Sequence, residues 1–113
     1  MVTRKNDMPV DVKVNMRGGA GEAVLTALSP ALPPKTRLFS TITLKPGCGI
    51  GYHVHEGETE MFYFASGSGR VCDDGEWYDV TAGDSMTTPS GHGHAVENNG
   101  DTDLVLVAAI ILD

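Results

Sequence analysis

The residues best suited to chemistry lie in the stretch Gly47-Cys48-Gly49-Ile50-Gly51-Tyr52-His53-Val54-His55-Glu56-Gly57-Glu58-Thr59-Glu60. In an extended strand, side chains at i and i+2 share a face, so His53 and His55 aim two imidazoles at one point. Glu60, on the next strand after a turn containing Gly57, can bring a carboxylate there. Two imidazoles and a carboxylate make three-quarters of a metal site. The fourth donor must come from elsewhere, and the only other histidines are His92 and His94. They are again two apart, and spacing alone does not choose between them. His92 follows the turn Pro89-Ser90-Gly91 and belongs at a rim; His94 lies deeper in a strand, with Val96 on the same face. Glu58 shares the strand parity of Glu60 but falls in the turn, where a solvated charge is expected. Glu56 is expected to face solvent.

Holding such groups in register requires a β framework. Leu38, Ser40, Ile42 and Leu44 alternate with Phe39, Thr41 and Thr43, a period of two rich in β-branched residues. Further strands are expected over residues 52–55, 60–65, 70–73, 76–80, 85–88, 92–97 and 104–112. Asp74-Gly75 is a two-residue hairpin signal, and Lys45-Pro46-Gly47, Ser66 to Gly69 and Thr81 to Asp84 read as turns. Residues 22–28 are ambiguous between a short strand and a helical turn, and Pro30, Pro33 and Pro34 end whichever forms. Many short strands without a convincing helix indicate an all-β sandwich or barrel. The expected organisation is an arm with turns over residues 1–36, whose alternating Val10, Val12 and Val14 could add an edge strand, ahead of a barrel over 37–113, one domain overall.

The chain has 113 residues and a net charge of −7, which disfavours nucleic acid as a partner. No apolar run is long enough to span a bilayer and the N-terminus does not read as a signal peptide, so no membrane partner and a cytoplasmic address are expected. Cys48 and Cys72 lack short-spaced partners and read as small, semi-buried side chains.

The spacing of glycines around the histidines carries a resemblance. Gly47, His53, His55, Glu60 and Gly67 match the first motif of the cupin superfamily, and Gly83, Pro89, Gly91, His94 and Asn98 match the second. Together with the short gap between them the motifs cover residues 47–98, a little under half of the chain. The resemblance implies a cupin-type double-stranded β-helix, or jelly-roll barrel, and metal ligation by His53, His55, Glu60 and His94. Three neutral imidazoles and a carboxylate suit one divalent transition metal per chain, Mn²⁺, Fe²⁺, Ni²⁺, Zn²⁺ or Cu²⁺, rather than Ca²⁺ or Mg²⁺. The motif glycines Gly47, Gly67, Gly83 and Gly91 permit the positive φ of tight turns.

Phe62 and Phe64 share the face of Glu60 and are expected to line the cavity, with Phe39, Ile42, Met86 and Val96 as further wall residues. His92 is either a rim residue or a contact for the ligand or for a ligating group. Tyr52, Met61 and Tyr63 have the opposite parity; Trp77 and Tyr78 read as packing on a sheet surface, and Asp73-Asp74-Gly75-Glu76 as a solvated loop. Such a cavity suits a small organic ligand. The leading reading is a small-molecule metalloenzyme with open metal positions, of oxygenase, isomerase or decarboxylase type. The alternative is a non-catalytic ligand-binding or sensory module, and the fold alone does not decide. Neither motif contains an arginine, but an inward Arg37 or Arg70 would favour an anionic ligand. Uncovered edges and an apolar last strand point to a homodimer.

Overall fold

The computed structural model describes residues 1–113. Ten strands follow one another: β1 (Val10–Val14), β2 (Glu22–Ala27), β3 (Thr36–Leu44), β4 (Gly49–Val54), β5 (Glu58–Ser66), β6 (Ser68–Asp73), β7 (Glu76–Thr81), β8 (Ser85–Thr88), β9 (Gly93–Glu97) and β10 (Leu104–Leu112). They form a six-stranded sheet, β1-β2-β3-β10-β5-β8, and a four-stranded sheet, β4-β9-β6-β7. All pairings are antiparallel. From β3 onward the chain crosses repeatedly between the two sheets, the winding of a jelly roll.

The alternation read from the sequence decides what lies between the sheets. Ser40, Ile42 and Leu44 of β3, Phe62 and Phe64 of β5, and Leu104, Leu106, Ala108 and Ile110 of β10 are all buried. Ile50, Val71, Met86 and Val96 complete the core from the other strands. The ambiguous segment at residues 22–28 becomes β2 because Ala23 and Leu25 pair with Leu44 and Ile42 and continue the inward face of β3. The alternating valines form β1, hydrogen-bonded to β2 at the edge of the larger sheet.

One irregularity aims the site. Ile50 pairs with Val96, whereas His53 pairs with His94, so three steps on β4 span two on β9. This β-bulge lets Ile50 and His53, of opposite parity, both face the interior cavity. Tyr52, inside the bulge, points outward. Two turns show why their residues are there. Asp74 and Gly75 both have positive φ, as a mirror-image hairpin turn requires. Gly67 has φ +84°, and an added Cβ would lie 2.2 Å from the Asp103 carbonyl oxygen.

Asn98 locks the end of the barrel below the site. Its side chain is buried and donates to the carbonyls of Leu44 and Thr102, both at 2.8 Å, while its Oδ1 accepts the Gly100 N–H at 3.0 Å. Asn98→Ala removes the donor to the buried Leu44 carbonyl and to the Thr102 carbonyl and should cost on the order of 3 kcal/mol. In urea denaturation this is a lower midpoint at unchanged slope; a loss below about 0.5 kcal/mol would show that the bridge carries no stability.

Candidate metal centre

His53 sits at the bulge of β4 and His94 directly opposite it on β9, so backbone register alone makes these imidazoles neighbours. His55 lies just beyond β4. Its N–H donates to the His92 carbonyl and its carbonyl accepts the Gly91 N–H, tying it to the turn before β9. Glu60 comes from β5 in the other sheet, paired with Thr88 of β8. The centre is therefore assembled only when both sheets are in place.

The four side chains converge. The Nε2 atoms of His55 and His94 are each 3.0 Å from Glu60 Oε1. His94 Nε2 lies 3.0 Å from His55 Nε2 and 3.2 Å from His53 Nε2. All four ligand atoms fall within 4.8 Å of one another. His55, Glu60 and His94 are buried and His53 is half-buried.

The outward ring nitrogens settle what the inward ones present. His53 Nδ1–H donates to the Gly51 carbonyl at 2.8 Å, and His55 Nδ1–H donates to Glu58 Oε2 at 2.7 Å. A carbonyl and a carboxylate can only accept, so in both neutral rings Nε2 carries a lone pair. His94 Nδ1 meets the Thr88 hydroxyl at 2.8 Å, and the ring stacks on Phe62 at a centroid distance of 4.9 Å. Burial holds the His53 imidazole below the usual histidine range, helped by the neighbouring His94 and His55 rings and by Arg17 and opposed by the Gly51 carbonyl. With Nδ1–H donated to the Thr88 hydroxyl, His94 too would present a lone pair from Nε2, and three imidazole nitrogens with a carboxylate oxygen form a donor set that fits a divalent transition metal.

Glu58 differs from the sequence expectation. It opens β5 instead of lying in the turn, and its side chain is only 12% exposed. Arg37 of β3 grips it with both arms, Nε to Oε1 at 2.9 Å and Nη2 to Oε2 at 2.7 Å. That clamp, reinforced by His55, lowers the Glu58 pKa to about 2. Glu58 thus fixes the tautomer and orientation of His55, a role belonging to partners of metal-ligating imidazoles. Its parity with Glu60 was the available signal; Arg37, distant in sequence, could not be paired with it from spacing.

A cavity of about 380 Å³ opens over the cluster. His53, His55, Glu60, His94, Ile42, Phe62 and Val96 line it, as do Lys13, Arg17 and Arg37 nearer the surface. The other expected wall residues lie elsewhere. Phe64 and Met86 are core, away from the cavity. Phe39 has the parity opposite to Ile42, so it faces outward on the larger sheet and is 41% exposed. His92 is exposed outside the cavity, where its Nδ1 bonds Asp74 Oδ2. That bond raises the His92 pKa and lowers that of Asp74. Asp74 also accepts the Gly93 N–H at 2.9 Å, so it braces the start of β9 instead of being merely solvated. Arg70 does not turn inward: it pairs with Glu97 at 2.8 Å and lies over Trp77, 4.3 Å from the ring centroid.

Residues 40–110 match the family model described as Cupin domain. The chain is 42% identical over 114 residues to an oxalate-binding protein of Thermotoga maritima, covering 99% of this chain and 94% of that protein. A crystal structure of a predicted oxalate decarboxylase from Thermotoga maritima superposes with a TM-score of 0.92 at 41% identity, with all of both chains covered. An oxalate decarboxylase of Arthroderma benhamiae is 33% identical over 99 residues; the match takes in 82% of this chain but only 23% of that longer protein.

The Glu58 contact yields a direct test. Glu58→Ala frees His55 to rotate and strips its charged acceptor, so affinity for Mn²⁺ or Zn²⁺ should fall about 10–100-fold, with Glu58→Gln between it and the wild type. Competition with a chelating indicator measures this. An affinity unchanged within about twofold in Glu58→Ala would show that His55 needs no such partner.

Proposed function

The chain belongs to the cupin family, and on that premise we propose that it is a metal-dependent binding protein for a small dicarboxylate, with oxalate the first ligand to test. The observation that carries this is the cavity lining. Three of the eight basic residues of an acidic chain, Lys13, Arg17 and Arg37, line the cavity that ends on the His53, His55, Glu60 and His94 cluster. Cationic side chains around a concave, partly apolar site favour an anionic ligand. The likeness to an oxalate-binding protein over nearly the whole chain supports a small dicarboxylate as that anion.

In this reading His53, His55, Glu60 and His94 hold one divalent transition metal, Mn²⁺, Fe²⁺, Ni²⁺ or Zn²⁺. The bound ion supplies a Lewis-acidic positive charge that attracts carboxylate oxygens. Ile42, Phe62 and Val96 give the anion an apolar wall, and Arg17, the lining cation without an ion-pair partner, adds positive charge at the mouth. Binding is favoured over turnover by the kind of titratable group present. Beyond the cluster, these are Asp11, Lys13, Arg17 and Arg37. Guanidinium and ammonium groups stay charged near neutrality and hold an anion without delivering a proton. Asp11 is engaged with Lys13 at 3.0 Å.

Protein purified from its native host should carry one first-row metal per chain by elemental analysis, and the His53→Ala/His94→Ala double variant should lose it. Titration calorimetry of the metal-loaded protein should show oxalate binding with no consumption of oxalate over hours. Turnover of oxalate to formate and CO₂ would replace the binding reading with the decarboxylase reading, and absence of both metal and oxalate binding would remove both.

The partner proposed for the outer surface is a second copy of the chain, in a cytoplasmic setting that the two unpaired cysteines suit. Asp11 and Lys13 line the cavity, so Val10, Val12 and Val14 point to the outer face, where Phe39, Met61, Tyr63 and Ile111 are also exposed. This apolar surface supports dimerisation through the larger sheet. Light scattering should give twice the chain mass at micromolar concentration, and Phe39→Glu/Met61→Glu should give monomer; a wild-type monomer removes the dimer.

A further inference from the structure

The three cations lining the cavity are not equivalent. Lys13 is bonded to Asp11 and Arg37 is clamped bidentately on Glu58. Arg17 forms no ion pair and is exposed at the mouth. It is also held in a costly backbone conformation, φ +54° and ψ +28°, within a short strap in which Asn15, Gly18 and Gly21 have positive φ as well. A left-handed arginine persists only where its surroundings determine it, and such strain gathers at ligand clamps.

Those surroundings are specific. The strap closes on itself through Asn15 N–H to the Gly21 carbonyl at 2.8 Å and Asn15 Nδ2 to the Gly19 carbonyl at 3.0 Å. It then lies flat on the bulged part of β4. A Cβ on Gly51 would stand 2.0 Å from the Arg17 carbonyl oxygen, and one on Gly19 would stand 2.3 Å from the Gly49 carbonyl oxygen. Only glycines permit this approach. The carbonyl of the same Gly51 holds the His53 ring at 2.8 Å. One backbone segment therefore positions a ligating imidazole on one side and the Arg17 backbone on the other.

Building on the dicarboxylate reading, we infer that Arg17 is the specificity-determining residue of the site: an uncommitted guanidinium, placed by the glycine-seated strap, that receives the carboxylate oxygens not held at the cluster. It distinguishes dicarboxylates from monocarboxylates, which have no second carboxylate to offer. A planar guanidinium matches such a group with two parallel donors, which an ammonium cannot do.

The test is calorimetry on Mn²⁺-loaded protein with oxalate and acetate as probes, in the wild type, Arg17→Gly and Arg17→Lys. Arg17→Gly relieves the left-handed strain, so its Tm should equal or exceed that of the wild type. Its oxalate affinity should fall about tenfold or more, while acetate and Mn²⁺ affinities stay within about twofold; Arg17→Lys should recover part of the loss. The inference is overturned if Arg17→Gly binds oxalate as the wild type does, or if it loses oxalate and acetate alike, because the effect would then be general charge. If wild-type protein takes up Mn²⁺ but binds no oxalate, the dicarboxylate reading fails and this inference fails with it. Oxalate binding by the wild type that is indifferent to Arg17 removes this inference alone.

Discussion

Four electron-pair donors crowded into one small volume are the constraint on which the rest of the molecule depends. With the outer nitrogens of His53 and His55 committed to Gly51 and Glu58, their inner nitrogens face His94 and Glu60 Oε1 as lone pairs. Bringing such groups together without a cation costs free energy, because burial removes the water that would otherwise solvate them. The fold supplies that cost from packing. Ile42, Phe62, Phe64, Leu104 and Leu106 bury the interior on which the donors are mounted. Metal binding should therefore stabilise the folded chain, since the donor geometry does not exist in the unfolded one.

Mounting donors on two sheets makes the cluster sensitive to their separation. His53, His55 and His94 belong to the smaller sheet or its adjoining turn, and Glu60 to the larger. Few polar connections bridge the sheets near the cluster. His55 with Glu58 is one, and Arg37 extends it to the neighbouring β3. Arg37 thereby does structural work that its presence in the cavity lining alone would not reveal. A guanidinium already satisfied by a carboxylate is a poor acceptor of a second anion, and this separates it from Arg17.

Much of this architecture could be read from the chain. Period-two alternation located β3 and its inward face, parity put Phe62 and Phe64 of β5 on the side of Glu60, and β10 is legible as a nearly continuous apolar run. His94 could not be told from His92 by spacing, since both obey the same parity relation; the structure separates them, because His94 stands opposite His53 while His92 lies beyond the strand beside Asp74. Phe39 is expected in the wall together with Ile42, yet their parities are opposite, and parity decides. Phe64 and Met86 face inward as expected but pack within the core instead of lining the cavity, a distinction that alternation does not encode. The bulge in β4, the Arg37–Glu58 clamp and the seating of Arg17 on Gly51 depend on contacts between distant segments, and no local pattern announces them.

The charges at the mouth bear on the proposed preference for a dianion. The three imidazoles are counted as neutral, and the pairs Lys13–Asp11 and Arg37–Glu58 each cancel. With a divalent cation held at the cluster, as proposed, what would remain is that cation, the single negative charge of Glu60 and the positive charge of Arg17. The residual is two positive charges in a cavity whose walls include Ile42, Phe62 and Val96. A doubly charged anion would neutralise it, whereas a monoanion would leave one charge uncompensated. Elsewhere the chain is strongly acidic, at −7 overall, and repels anions in general. On the proposed reading, selectivity for a small dianion would rest on charge matching together with size, and the unpaired Arg17 would account for half of the residual charge.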